Sequence, residues 1–174
     1  NGFMQTEACT LVSLGAASLV MGDNNVTVSE SELVALGMVV DAGYDYPSHL
    51  VDFAVTGADL GHAYKVVMPL SQPLPNGAVY RKYLGENIGW QMFVENADNA
   101  VATASALKGA CPHTGSEAYT SGLTAGDNCL QLLIQDGGPN DSDGAVNGTT
   151  TDTGGIAVKF IGTPSKNSEV ILGQ

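Results

Sequence analysis

Between residues 50 and 161, short apolar runs recur at roughly ten-residue intervals, most of them closed by glycine, proline or another turn former. A chain punctuated so often has no room for long helices. The runs at 50–55, 63–68, 78–83, 90–94, 130–134 and 156–161 read as strands. Alternation is clearest at 78–83, where Tyr80 and Lys82 fall on one face and Val79, Arg81 and Tyr83 on the other. Residues 100–107 are ambiguous, because their alanines favour helix while Thr103 and Ser105 alternate as in a hairpin partner. Together these signals predict an all-β fold, an Ig-like antiparallel two-sheet sandwich.

The first third is less regular. Apolar runs at 10–14 and 17–21 are broken by Gly15 and by Gly22-Asp23-Asn24, and 25–28 alternates like a strand edge. Ser29 and Glu32 then have the spacing of a capping box ahead of an apolar run, with Gly37 placed to end the helix. One short helix near 30–37 is expected. The chain divides into an N-terminal arm with the first strands at 1–45, the sandwich at 46–161 and a C-terminal tail at 162–174.

Composition restricts partners and compartment. The 18 acidic and 6 basic side chains give a net charge of −12, which repels nucleic acid and anionic membrane surfaces. No apolar stretch approaches the roughly 20 residues that cross a bilayer. The chain starts at Asn1 without a basic leader, as expected of an exported protein after signal removal or of an excised domain. Of its three cysteines, Cys111 and Cys129 flank a turn-rich segment and lead into the apolar run at 130–134. A bridge between them would staple that loop to a core strand, contributing about 3 kcal/mol. Cys9 is then left as a buried free thiol or as one half of an intermolecular bridge. A disulfide places the domain outside the cell or on its surface.

The densest chemistry lies in Asp136-Gly137-Gly138-Pro139-Asn140-Asp141-Ser142-Asp143-Gly144-Ala145-Val146-Asn147-Gly148, followed closely by Asp152. Oxygen side chains at Asp136, Asn140, Asp141, Asp143, Asn147 and Asp152 suit a hard cation, so Ca²⁺ is the candidate cofactor. The D-x-D-G-x-x-N core resembles half of a thrombospondin type 3 or dockerin-like calcium repeat, without the Glu that completes an EF-hand loop. The same residues equally suit a Gly-rich turn capped by its own side chains.

Several segments in order carry a family resemblance: residues 50–57, 66–70, 78–83 and 89–94, then Cys111-Pro112, residues 119–123, and 129–155. Together they resemble the choice-of-anchor U domain of bacterial surface and secreted proteins, over residues 46–158. The Asp136–Gly148 stretch and Asp152-Thr153-Gly154-Gly155 are its most specific elements, although the family more often has Pro where Thr153 stands. The resemblance implies an exported protein and brings no catalytic residues with it. The family usually precedes a sorting signal, whereas 162–174 shows no apolar anchor.

His49, His62 and His113 are widely separated, with no nucleophile motif beside them, so no enzyme activity is expected. Two non-enzymatic uses follow. One is a structural subunit that joins copies of itself into a filament or matrix through strand exchange of its apolar terminal segments. The alternative is a surface adhesive or carbohydrate-binding module, with Trp90, Tyr80 and Tyr83 as an aromatic platform for surface glycans unless they pack in the core.

Overall fold

A computed structural model describes residues 3–22, 25–57 and 59–160. The expected all-β sandwich is present, built from two antiparallel sheets. The first joins β1 (Gln5–Thr6), β6 (Ala63–Pro69), β11 (Cys129–Gln135), β9 (Ala100–Ala104) and β10 (Thr120–Ser121), in that spatial order. The second runs β2 (Leu11–Leu14), β5 (Leu50–Thr56), β12 (Thr149–Lys159), β7 (Ala78–Tyr83) and β8 (Trp90–Met92). Two short strands extend it, β3 (Thr27–Val28) on β5 and β4 (Tyr44–Asp45) on β12. The run predicted at 156–161 is the end of the longer β12, and Ile161 and the tail at 162–174 lie outside the described residues.

The core lies between the sheets. Val51, Phe53 and Val55 of β5 face Leu130, Leu132 and Ile134 of β11, with Tyr80, Val101 and Ile156 among them. Residues 100–104 form a strand despite their alanines, because Cys129 to Leu133 of β11 pair with them. Pairing overrides the local preference.

Two short helices stand among the described residues where one was predicted. α2 (Glu30–Ala35) carries the expected box: the Glu32 amide donates to Ser29 Oγ at 3.2 Å, and the Ser29 amide donates to Glu32 Oε2 at 2.6 Å. α1 (Ala16–Met21) begins at Gly15 with no capping side chain of its own. Its Ser18 amide donates instead to Asp52 Oδ2 at 2.7 Å, from strand β5. That cap is supplied from far along the chain, so no local signal announces the helix.

Residues 16–22 and 29–43 form a third layer on the outer face of the second sheet. Ala17, Val28, Leu33 and Leu50 enclose Tyr83 and Trp90 in a second apolar cluster. Charge pins this layer down: Asp41 takes two hydrogen bonds from Arg81, Nε at 2.8 Å and Nη2 at 2.6 Å. Tyr46 donates its hydroxyl to the same carboxylate at 2.6 Å, and the Arg81 guanidinium lies 4.3 Å from the Tyr44 ring centre.

Cys111 and Cys129 form the expected disulfide, 18 residues apart in sequence. The bridge packs with Val67 and Ala104 at the buried start of β11. Removing it by a double Cys111→Ala, Cys129→Ala change is expected to lower unfolding free energy by about 3 kcal/mol. Urea titration measures this, and a loss under about 1 kcal/mol would assign the loop's order to its hydrogen bonds instead. Cys9 is free and exposed, against the expectation of a buried thiol. It sits in a left-handed turn (φ 70°) between β1 and β2, which turns the side chain outward.

Candidate functional site

The acidic segment is the crossover between β11 and β12, the middle strands of the two sheets. Chain leaving one layer at Gln135 must enter the other at Thr149, and its backbone groups need partners on the way. The acidic side chains supply them. Asp136 Oδ2 accepts the Gly61 amide at 2.7 Å and the Gly148 amide at 3.0 Å, while Oδ1 accepts the Asn147 amide at 3.1 Å. Burial would raise the Asp136 pKa, but these amides, with that of Thr149, hold it below the usual carboxylate value.

Asp141 works in the same way. Its Oδ1 accepts the Thr151 amide at 2.8 Å and Oδ2 the Gly137 amide at 2.9 Å. Burial dominates here and raises its pKa against those bonds. Asn140 braces the loop against the connection between β8 and β9, bonding Val94 through both its amide atoms and Asn99 at 2.9 Å. Asp143 and Asn147 cap single turns, accepting the amides of Ala145 and Thr149 at 2.8 Å each. Gly137 turns in the left-handed region with Val146 folded against it, leaving no space for a Cβ.

Five of the six predicted calcium ligands therefore share one loop, and their oxygens accept hydrogen bonds from its amides or from those of Gly61, Val94, Thr149 and Thr151. Asp152 does not join them. Among the described residues, no group of three or more His, Cys, Asp or Glu side chains is arranged to hold a metal ion.

Asp152 points into the sandwich core, where it is fully buried. Its Oδ1 lies 2.8 Å from Lys82 Nζ, and the Lys82 side chain is also removed from solvent. Its Oδ2 accepts the Tyr80 hydroxyl at 2.8 Å. Strand periodicity explains the meeting. Tyr80 lies opposite Ile156 and Lys82 opposite Gly154, so both project to the face that Asp152 shares. Gly154 keeps the space open, since a Cβ there would stand 3.0 Å from Asp152 Oδ1 and still closer to the Arg81 carbonyl. Burial raises the Asp152 pKa, against the opposing pull of Lys82 and Tyr80. Burial, then Asp152, pushes the Tyr80 phenol well above its ordinary value. The alternation at 78–83 put Lys82 beside Tyr80, but nothing in the sequence paired it with Asp152.

The three aromatic residues considered for a glycan platform are all buried, on opposite faces of the second sheet. Tyr80 packs inside, edge-on to Phe93, while Tyr83 and Trp90 pack together under the outer layer. The Trp90 indole N–H donates to the Val39 carbonyl at 2.7 Å. Their faces are used for packing. The histidines are all exposed and serve separate places: His49 lines a cleft of about 430 Å³, His62 offers its carbonyl to Asp136, and His113 Nδ1 accepts the Gly115 amide.

The sandwich edges are closed by the N-terminal segment. Gln5 and Thr6 pair with Val67 and Val66 at the edge of the first sheet. Leu11 to Leu14 then pair with Thr56 to Phe53 at the edge of the second. Met4 and Val12 pack onto the main core between these edges, while Phe3 and Leu11 remain exposed. One stretch of chain thus completes both sheets along the same side.

Compared with protein families, curated proteins and solved structures, the chain matches none. No helix among the described residues is long and apolar enough to cross a membrane.

Proposed function

We propose that this domain is a non-enzymatic extracellular building block that joins copies of itself by exchanging its N-terminal segment. The observation that carries the proposal is the closure of both sheet edges by residues 5–14, through the short strands β1 and β2. A segment that adds strands to β5 and β6 of its own chain fits the same edges of a neighbour equally well. Exchange keeps every hydrogen bond and the Met4 and Val12 contacts, so its cost is chiefly the entropy of association. Head-to-tail exchange does not close on itself and grows a filament.

The Cys111–Cys129 disulfide supports an oxidising exterior, and the net charge of −12 supports solubility there without nucleic-acid partners. The resemblance to choice-of-anchor U domains supports the same placement. Burial of Tyr80, Tyr83 and Trp90 takes away the aromatic platform that favoured a glycan-binding module.

Size-exclusion chromatography and negative-stain imaging over a range of protein concentrations test the proposal. Multimers are expected, and they should disappear when residues 1–14 are deleted. A peptide of residues 1–14 should then bind the shortened chain and restore its thermal stability. Monomers at every concentration, or multimers that survive the deletion, would exclude strand exchange.

A further inference from the structure

The core holds a lysine and an aspartate that an apolar interior has little reason to keep as ions. Taking both charges from water costs several kcal/mol per ion, and hydrophobic residues of similar volume commonly serve a sandwich as well or better. Lys82 and Asp152 are sealed from solvent, 2.8 Å apart, on hydrogen-bonded neighbouring strands. Their geometry differs from that of Arg81 and Asp41, whose two parallel hydrogen bonds form a fork that locks a salt bridge in place. Lys82 instead presents a single amine to one carboxylate oxygen, while a phenol holds the other.

We propose that Lys82 and Asp152 condense into an intramolecular isopeptide bond joining Nζ of Lys82 to Cγ of Asp152. The balance closes without any added reagent. In the dry core the ion pair reverts to its neutral form as the ammonium passes a proton to Asp152 Oδ1. The free amine then attacks Cγ, and the negative charge that develops on Oδ2 is met by the hydrogen bond from the Tyr80 hydroxyl at 2.8 Å. Oδ1 leaves as water, taking a second proton from the nitrogen. One hydrogen stays on the new amide nitrogen, and Oδ2 becomes the amide carbonyl. No group is oxidised or reduced.

Two features of the fold favour the step. The strands fix both reactants in place, so the reaction is intramolecular with a high effective concentration. Burial raises the Asp152 pKa and so favours the neutral carboxyl that attack requires. The product replaces two buried charges by one amide and ties β7 covalently to β12, the central strand of its sheet. The proposal is independent of strand exchange.

Intact mass spectrometry of the folded full chain, measured with the disulfide reduced, decides it. The expected mass is lower than that of the sequence by one water. Trypsin should release a branched peptide joining residues 82–108 to residues 109–159, because acylated Lys82 is no longer cleaved. Asp152→Asn, close to isosteric, should lose ammonia in place of water, a change that a purely structural ion pair would not produce. Lys82→Met should show the full mass. A full mass for the unaltered chain overturns the proposal even if both variants fail to fold. So does a deficit confined to a linear peptide, as succinimide formation at Asp143-Gly144 would give.

Discussion

Arg81→Met is expected to lower the stability of the fold by about 3 kcal/mol, because it leaves the Asp41 carboxylate buried with only the Tyr46 hydroxyl to answer it. The estimate takes the low end for a broken buried pair, since the Arg81 side chain keeps 10% of its exposure. In a chain of this size the loss corresponds to a fall of about 10 °C in Tm. The effect should be local as well as global. Asp41 joins the outer layer to the sheet through Arg81, so the segment around α2 should become protease-sensitive before the sandwich unfolds. Arg81→Lys keeps the charge but loses the fork and should fall between the two. Adding Asp41→Asn to Arg81→Met should recover part of the loss by removing the stranded charge. Thermal unfolding followed by circular dichroism measures all three, and a shift below about 2 °C for Arg81→Met would show that the apolar cluster around Trp90 holds the layer unaided.

What the sequence revealed and what it hid divide by how far apart the partners lie. The strand at 78–83 was legible because its signal is a period of two within six residues, and the capping box because Ser29 and Glu32 are three apart. The disulfide was legible because a turn-rich loop between two cysteines needs closing. Helix α1 was hidden, since its cap is Asp52 on another strand. The alternation at 78–83 also concealed something by its regularity. Both faces of β7 are covered, one by the opposite sheet and one by the outer layer around α1 and α2, so polar and apolar alternation could not show which face was the core. Lys82, which the period of two groups with Tyr80, lies with it in the interior. The acidic loop was legible in position and chemistry, and its oxygens fitted either a cation or the backbone. Only the fold brings the Gly61 and Val94 amides to Asp136 and Asn140, and those contacts join sequence positions too distant for any motif.

Asp136→Ala should be the most damaging change in that loop, costing about 3 kcal/mol. Three amides lose their acceptor, and each buried donor left unpaired costs about 1–3 kcal/mol. Asn147 is exposed, so water replaces the acceptor there, and the loss concentrates at the half-buried Gly61 and Gly148. The pH dependence distinguishes this carboxylate from its neighbours. Hydrogen bonding depresses the Asp136 pKa in the folded chain, so its contribution is fully present above the unfolded value of about 3.9 and is lost as pH falls through the lower folded value. Asp141, with its pKa raised by burial, works the other way: its cost is present at neutral pH and is relieved as pH falls through its raised value. The difference in Tm between the unaltered chain and Asp136→Ala should therefore stay constant from neutral pH down to about 4 and shrink only below it. Asp141→Asn should narrow its own difference at a higher pH than Asp136→Ala does. A gap for Asp136→Ala that already closes well above pH 4 would mean that Asp136 does not hold the crossover as an anion, and the link between the two central strands would then rest on Asp141 and Asn140.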